Sequence, residues 1–187
     1  VVTNFWEDMD VRKEIKQGMI LTDVIDRADI KHCVWSCLED TREYLGDAVK
    51  DIDGFKVPHF DGKATISKYM QKKDIPVTYL YTSFYWENLL DMMKPIKNEN
   101  GEHVLSLPMD DKELAGVCVD DIGKMTASIF LKGTETIGEH LGVVGDYVKV
   151  EDMMNIISEF SGEKYVYNAI SNDDYRKLDF PGSNDLA

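Results

Sequence analysis

Residues 57–70, "VPHFDGKATISKYM", hold two side chains that can do chemistry, His59 and Lys63. An imidazole takes up and releases a proton near neutral pH. An ammonium four residues on can lower the pKa of a neighbouring acid, or donate to a hydroxyl or a phosphate. Asp61 fits a helix N-cap, and Ile66, Tyr69 and Met70 give an apolar face for a helix running to about Lys73. That boundary puts His59 ahead of the helix, off the face that Lys63 occupies. The other candidate groups are scattered. His32, His103 and His140 lie far apart with no metal-ligand spacing and read as structural or surface residues. Cys33 and Cys37 sit in an apolar run and read as inert core thiols, with Cys118 left over.

The elements around these residues belong to an α/β chain. The 187 residues, 43% hydrophobic and 30% charged, suit a globular protein with a substantial core. Three cysteines without paired spacing suit a reducing compartment, and no run is long and apolar enough to span a bilayer. A net charge of -14 argues against direct nucleic-acid binding, which needs Lys and Arg to neutralise phosphates, but leaves a basic protein partner open.

Val11, Ile15, Ile20, Val24 and Ile25 fall near a 3.6 period and predict a helix over residues 8–28, weakened by about 1 kcal/mol at Gly18. Residues 31–38, "KHCVWSCL", read as a buried parallel strand, and residues 75–84 as a second. Strand, helix and strand with short connections are parallel βαβ units. Beyond residue 95 the pattern changes to a turn at Asn100-Gly101, short strands, a helix starting at Asp120 or Asp121, and a helix over residues 149–161 between strands. Residues 1–95 thus form one part and residues 96–187 a smaller mixed one. The opening "VVTNFWE" reads as the end of a buried strand, so the chain is expected to be a fragment. Ligands of open α/β sheets sit at the carboxyl ends of strands, here near Thr3, Ser36 and Thr82.

Taken in order, "VTNFWE", "KQG", "PHFDGK", "SFYWENLL", "LSLPMDD", "VDDIG" and "YRKLDFPG" resemble the NmrA-like family, an atypical branch of the short-chain dehydrogenase/reductase superfamily. The resemblance implies a Rossmann-like parallel sheet with helices on both faces, plus a smaller mixed α/β C-terminal region. It implies NADP(H) as the cofactor, bound by Thr3, Asn4, Phe5, Lys16, Lys63, Tyr85, Trp86, Glu87 and Asn88. Each has a plainer reading. Thr3 and Asn4 suit a turn, Lys16 a solvated helix face, Tyr85 and Trp86 a core, and Glu87 and Asn88 a helix first turn.

Active reductases of the superfamily pair a tyrosine with a lysine four residues on, so that the phenol passes a proton beside the nicotinamide. His59 stands in the tyrosine's place, and NmrA-like members are regarded as sensors. The resemblance therefore implies a redox sensor without turnover, reporting NADP(H) state to a regulatory protein partner in transcription, in the cytoplasm and also the nucleus. The alternative is an NADPH-dependent reductase of the isoflavone or quinone reductase type, with His59 or Lys63 as proton donor. The family's glycine-rich phosphate turn does not occur between Val1 and Ala187, so the preference for NADP over NAD is not legible. The chain alone is expected to bind nucleotide weakly or not at all and to be prone to self-association, a homodimer included.

Overall fold

Residues 31–38 become a strand because they are apolar on both sides and bounded by charge, a pattern that fits a strand covered on both faces. In the computed structural model, which describes residues 1–178, β1 (Cys33–Cys37) runs parallel to β2 (Val77–Thr82), and β2 runs parallel to β7 (His140–Val143). Odd-numbered side chains Cys33, Trp35, Cys37, Val77 and Tyr79 point to one face, where they pack with Ile25 of α1 (Val11–Arg27) and Ile66 and Met70 of α2 (Pro58–Lys72). On the opposite face Thr78 meets His32, whose ring packs on Phe130 of α3 (Val119–Lys132). The sheet therefore has helices on both faces, as expected.

The chain divides into two compact units, Val1–Thr82 with Gly123–Val143, and Ser83–Ile122 with the described part of Val144–Ala187. The second holds two small sheets. In one, β3 (Phe84–Tyr85) runs parallel to β6 (Glu113–Val117), which pairs antiparallel with β8 (Asp146–Lys149). In the other, β5 (His103–Leu107) lies between antiparallel β4 (Ile96–Lys97) and parallel β9 (Tyr165–Ala169). Its core gathers Leu105 and Leu107 with Val150, Met153 and Met154 of α4 (Val150–Ser161) and Tyr175 of α5 (Asn172–Tyr175). The end of the "YRKLDFPG" motif lies outside the described residues. No helix among the described residues is long and apolar enough to cross a membrane.

Two local expectations are corrected. The first helix starts at Val11, with Asp10 accepting from the Arg12 and Lys13 amides, and its buried face is not the apolar one. Glu14, Gly18, Thr22 and Ile25 are buried, whereas Ile20 and Val24 are about half exposed, at 54% and 55%. Gly18 is the reason: a Cβ there would come within 2.6 Å of Ile66 Cγ1 and 2.8 Å of its Cγ2, so only glycine lets α1 and α2 approach this closely. The third helix begins at Val119 rather than Asp120 or Asp121, because Glu87 caps it from 32 residues upstream by accepting the Val119 amide at 3.0 Å. Asp120 and Asp121 sit instead in its first turn.

Gly18→Ala gains about 1 kcal/mol of helix propensity but overpacks a site where three Ile66 carbons are in the way, a cost of about 1–3 kcal/mol. Chemical denaturation is expected to show net destabilisation, and Ile66→Val in the same chain is expected to recover part of it. Additive losses in the double variant would mean that the two helices are not in contact at this point.

Candidate functional site

In the first unit the site begins where the chain runs beside β1. The Val1 amine donates to the Val34 carbonyl at 2.6 Å, and the Ser36 amide donates to the Val1 carbonyl at 3.0 Å. Two residues later Thr3 is buried, and its hydroxyl donates to Glu14 Oε1 at 2.6 Å. Lys63 Nζ donates to the Thr3 carbonyl at 2.9 Å, to Thr3 Oγ1 at 3.1 Å and to Glu14 Oε1 at 3.0 Å. A lysine ammonium has three N–H groups, so all of its donors are engaged. Its side chain is only 11% exposed and that of Glu14 1%. Gly62 lies one residue before Lys63 and makes room for this carboxylate, since a Cβ there would lie 3.1 Å from Glu14 Oε2. That second oxygen has no hydrogen-bond partner.

His59 and Lys63 do share a helix, which corrects the expectation that Asp61 caps it. Pro58 occupies the first helical position, where its fixed φ suits the turn, and Val57 precedes it as the cap. Asp61 is fully buried and serves the preceding loop instead. Its Oδ1 accepts from the Thr41 amide at 2.8 Å and the Thr41 hydroxyl at 2.7 Å, and its Oδ2 from the Lys56 amide at 2.7 Å. His59 is 8% exposed and packs among the rings of Phe5, Trp6 and Phe60, with centroids 5.7, 4.9 and 4.8 Å away. Its Nδ1 is buried without a partner. Burial first, then the Lys63 charge, pushes its pKa down to about 4, against a smaller pull from Asp61. The ring is neutral at pH 7.

The remaining candidates fall in separate places. Phe5 is buried beside His59, while Asn4 is exposed and its side-chain oxygen accepts from the Trp6 amide at 3.2 Å, capping a single 3-10 turn. Lys16 is exposed, and two residues on from Glu14 it faces away from α2. In the second unit Tyr85 pairs with Val117, and Trp86 opens a 3-10 turn that runs to Leu90. Glu87 caps α3 through Oε1 and leaves Oε2 buried and unpartnered. The Asn88 carbonyl accepts from the Met93 amide at 2.8 Å.

Thr3, Lys63, Phe5 and His59 are thus brought together, and Lys16 is not among them. Glu14 was missed from the sequence. Its only signal is a charged residue four before a glycine on the helix. The scattered histidines have structural partners: His32 on Thr78 at 2.8 Å, His103 on Glu163 at 2.7 Å, and His140 stacked on Tyr79 at 4.5 Å. Burial raises the Cys33 thiol and pushes that of Cys37 up to about 12, so both are inert. Among the described residues no group of His, Cys, Asp and Glu is placed to hold a metal ion.

The NmrA-like family model matches residues 1–187. The chain belongs to the NmrA-like family. A curated relative, an NmrA-like family domain-containing protein of Dictyostelium discoideum, is 22% identical over 173 residues, covering 88% of this chain and 55% of the relative. Among solved structures, NmrA, a negative transcriptional regulator, superposes with a TM-score of 0.79 at 20% identity, covering 99% of this chain and 57% of that one. NmrA has also been solved with NAD and with NADP. The triphenylmethane reductase of Citrobacter sp., complexed with NADP(H), superposes at 0.68 with 16% identity, over 94% of this chain and 56% of that one. At these identities the likeness to solved structures is one of fold. The chain spans a little over half the length of each of these proteins.

Two outcomes follow from this geometry. A histidine whose folded pKa lies below its unfolded value of 6.5 contributes stability that is complete above pH 6.5 and is lost as pH falls toward 4, by about 3 kcal/mol for His59. His32, lowered by burial, acts in the same direction. Denaturant midpoints measured between pH 4 and 7 should rise with pH, and His59→Phe should flatten that rise. Removing one partner of the buried pair leaves the other charge stranded, so Lys63→Met or Glu14→Leu alone should each cost about 3–5 kcal/mol, whereas both together should fall within about 1–2 kcal/mol of the parent. A loss in the double variant equal to the sum of the two single losses would mean the pair is not coupled.

Proposed function

We propose that this chain is part of an NADP(H)-binding regulator that reports nucleotide state to a protein partner and does not turn the nucleotide over. The observation that carries the reading is the state of His59. A group that passes a proton to substrate must hold one at working pH and reach the reacting atom. His59 is packed among three aromatic rings and stays neutral, its pKa pushed down to about 4. NmrA, similar in fold, is described as a negative transcriptional regulator and has been solved with NAD and NADP, which supports a nicotinamide dinucleotide here and a regulatory role for it. A cytoplasmic and nuclear location belongs to the same proposal.

The residues present fit such a group on one condition. Thr3 and Lys63 meet where the chain runs beside β1, and Glu14 Oε2 and His59 Nδ1 on the two adjoining helices are buried polar atoms without partners. A ribose hydroxyl can accept from Lys63, provided the ammonium gives up one of its present acceptors. The cofactor, when bound, supplies a hydride donor. This chain's residues bind and orient it.

The second reading, an NADPH-dependent reductase, is favoured by the likeness to triphenylmethane reductase. NADPH oxidation in the presence of quinones and enones separates the two. The expected result is weak calorimetric binding of NADPH with no turnover above background. Steady turnover that disappears in His59→Ala would overturn the sensor reading. In the Glu14→Leu, Lys63→Met double variant, once circular dichroism has verified its folding, NADPH affinity should drop by about 1 kcal/mol, roughly fivefold. Unchanged affinity would remove Lys63 from the site.

A further inference from the structure

In the first unit α2 leaves a groove open beside the sheet face it covers. Ala64, Ser67, Lys68 and Gln71 fall three or four apart and form one stripe of that helix. On the sheet, Tyr81 of β2 pairs in register with Gly142 of β7. Helix stripe and sheet pair line a cavity of about 420 Å³, within the roughly 300–1,000 Å³ of small-molecule sites. A Cβ at Gly142 would meet nothing within 4 Å beyond its chain neighbours, so this glycine is a gap in the floor beside Tyr81. Tyr81 and Gly142 are each second-last in their strand, and Leu38 and Glu39, directly after β1, line the same end. Ligands of open α/β sheets sit at this end of the strands. The cavity shares no residue with the expected nucleotide contacts.

The charged groups lining it are met by partners, with one exception. Asp40 accepts from Arg42 Nε at 2.7 Å and from Lys68 Nζ at 2.7 Å, and Lys68 also donates to Glu43 at 2.9 Å. Tyr81 and His140 are bonded to each other at 2.9 Å, and the Ser67 hydroxyl is held by Trp35 Nε1 and the Lys63 carbonyl. Glu39 differs. It is exposed, lines the cavity and has no hydrogen bond or ion pair among the described residues. Burial first, then Cys37 and then the Glu39 charge raise the Tyr81 phenol, which is consistent with a carboxylate near that ring.

We propose that this cavity binds a small aromatic monocation, its ring in the gap over Gly142 beside Tyr81 and its ammonium on Glu39. The ring would stack offset on the tyrosine, a contact worth more than its area alone. An anion would meet an unpaired carboxylate, with Lys68 already shared by Asp40 and Glu43. A neutral alcohol would reach Glu39 without the charge-assisted gain. The proposal needs no nucleotide and stands apart from the reading above.

Three probes share a phenyl ring and differ at the head: 2-phenylethylamine, 2-phenylethanol and phenylacetate. Because Glu39 is exposed and its pairing is screened by water, isothermal titration of the intact chain should show the amine binding about fivefold tighter than the alcohol, with the acid weakest. Added salt should weaken the amine and leave the alcohol unchanged. Glu39→Gln, at an exposed position, should bring the amine to the level of the alcohol. Gly142→Leu fills the gap without displacing a neighbour and should abolish binding of all three, with circular dichroism to verify folding. An acid as tight as the amine, an amine indifferent to Glu39→Gln, binding that survives Gly142→Leu in the folded variant, or no binding of any probe would overturn the proposal.

Discussion

The first unit depends on one buried ion pair. Lys63 on α2 and Glu14 on α1 meet at 3.0 Å with almost no access to water, and Thr3 joins them through both its carbonyl and its hydroxyl. Burying two charges is expensive, and good geometry offsets the cost here: all three Lys63 donors and Glu14 Oε1 are met, while Glu14 Oε2 is left without a partner. That requirement shapes the surroundings. Gly18 lets the helices close, Gly62 leaves room for the carboxylate, and the start of the chain is bonded to β1 so that Thr3 arrives at the right depth. The Lys63 ammonium also lies 5.6 Å from the face of Trp35, itself fully buried and bonded through its indole N–H to Ser67.

What was legible in the sequence was what depends on local spacing. β1 declared itself as an apolar run between charges. The helix expected over residues 149–161 matches Val150–Ser161, because an apolar period ends at Gly162, whose φ of 71° suits glycine in a left-handed C-terminal cap. What was not legible were polar residues whose partners are distant in the chain. Glu14 is buried because of a lysine 49 positions away. Asp61 looks like a cap, and would be one, had Thr41 and Lys56 not claimed both its oxygens. Glu87 stands in for a local cap on α3 from 32 residues upstream. Periodicity ranks faces by hydrophobicity, so it placed Ile20 and Val24 inside and passed over Glu14, which long-range pairing buries.

The same pairing bears on what Lys63 can do. With three donors and three acceptors at 2.9–3.1 Å, the ammonium has no free N–H to offer a ligand. Any bond it makes to a ribose is an exchange, and its worth is the difference between two hydrogen bonds to oxygen. Such a difference is far smaller than the gain from an unused buried cation. While Glu14 is present, a lysine in this position is therefore needed by the fold whether or not a nucleotide is bound. Its presence alone says little about chemistry, and His59 carries the weight of that question.

His59 answers it through its surroundings rather than its identity. An exposed imidazole would titrate near pH 6.5 and could serve as an acid or a base at neutral pH. Here Phe5, Trp6 and Phe60 remove water from the ring, and the nearby ammonium adds repulsion to the protonated form. The two effects reinforce each other because the ion pair fixes Lys63 on the same helix, four residues on. Substituting an exposed residue would leave the ring buried and its pKa low. A change that raised it would have to reopen the aromatic packing around the ring, and that packing is continuous with the turn that delivers Thr3 to Lys63. Stability at this strand end and the low pKa of His59 thus have one physical origin.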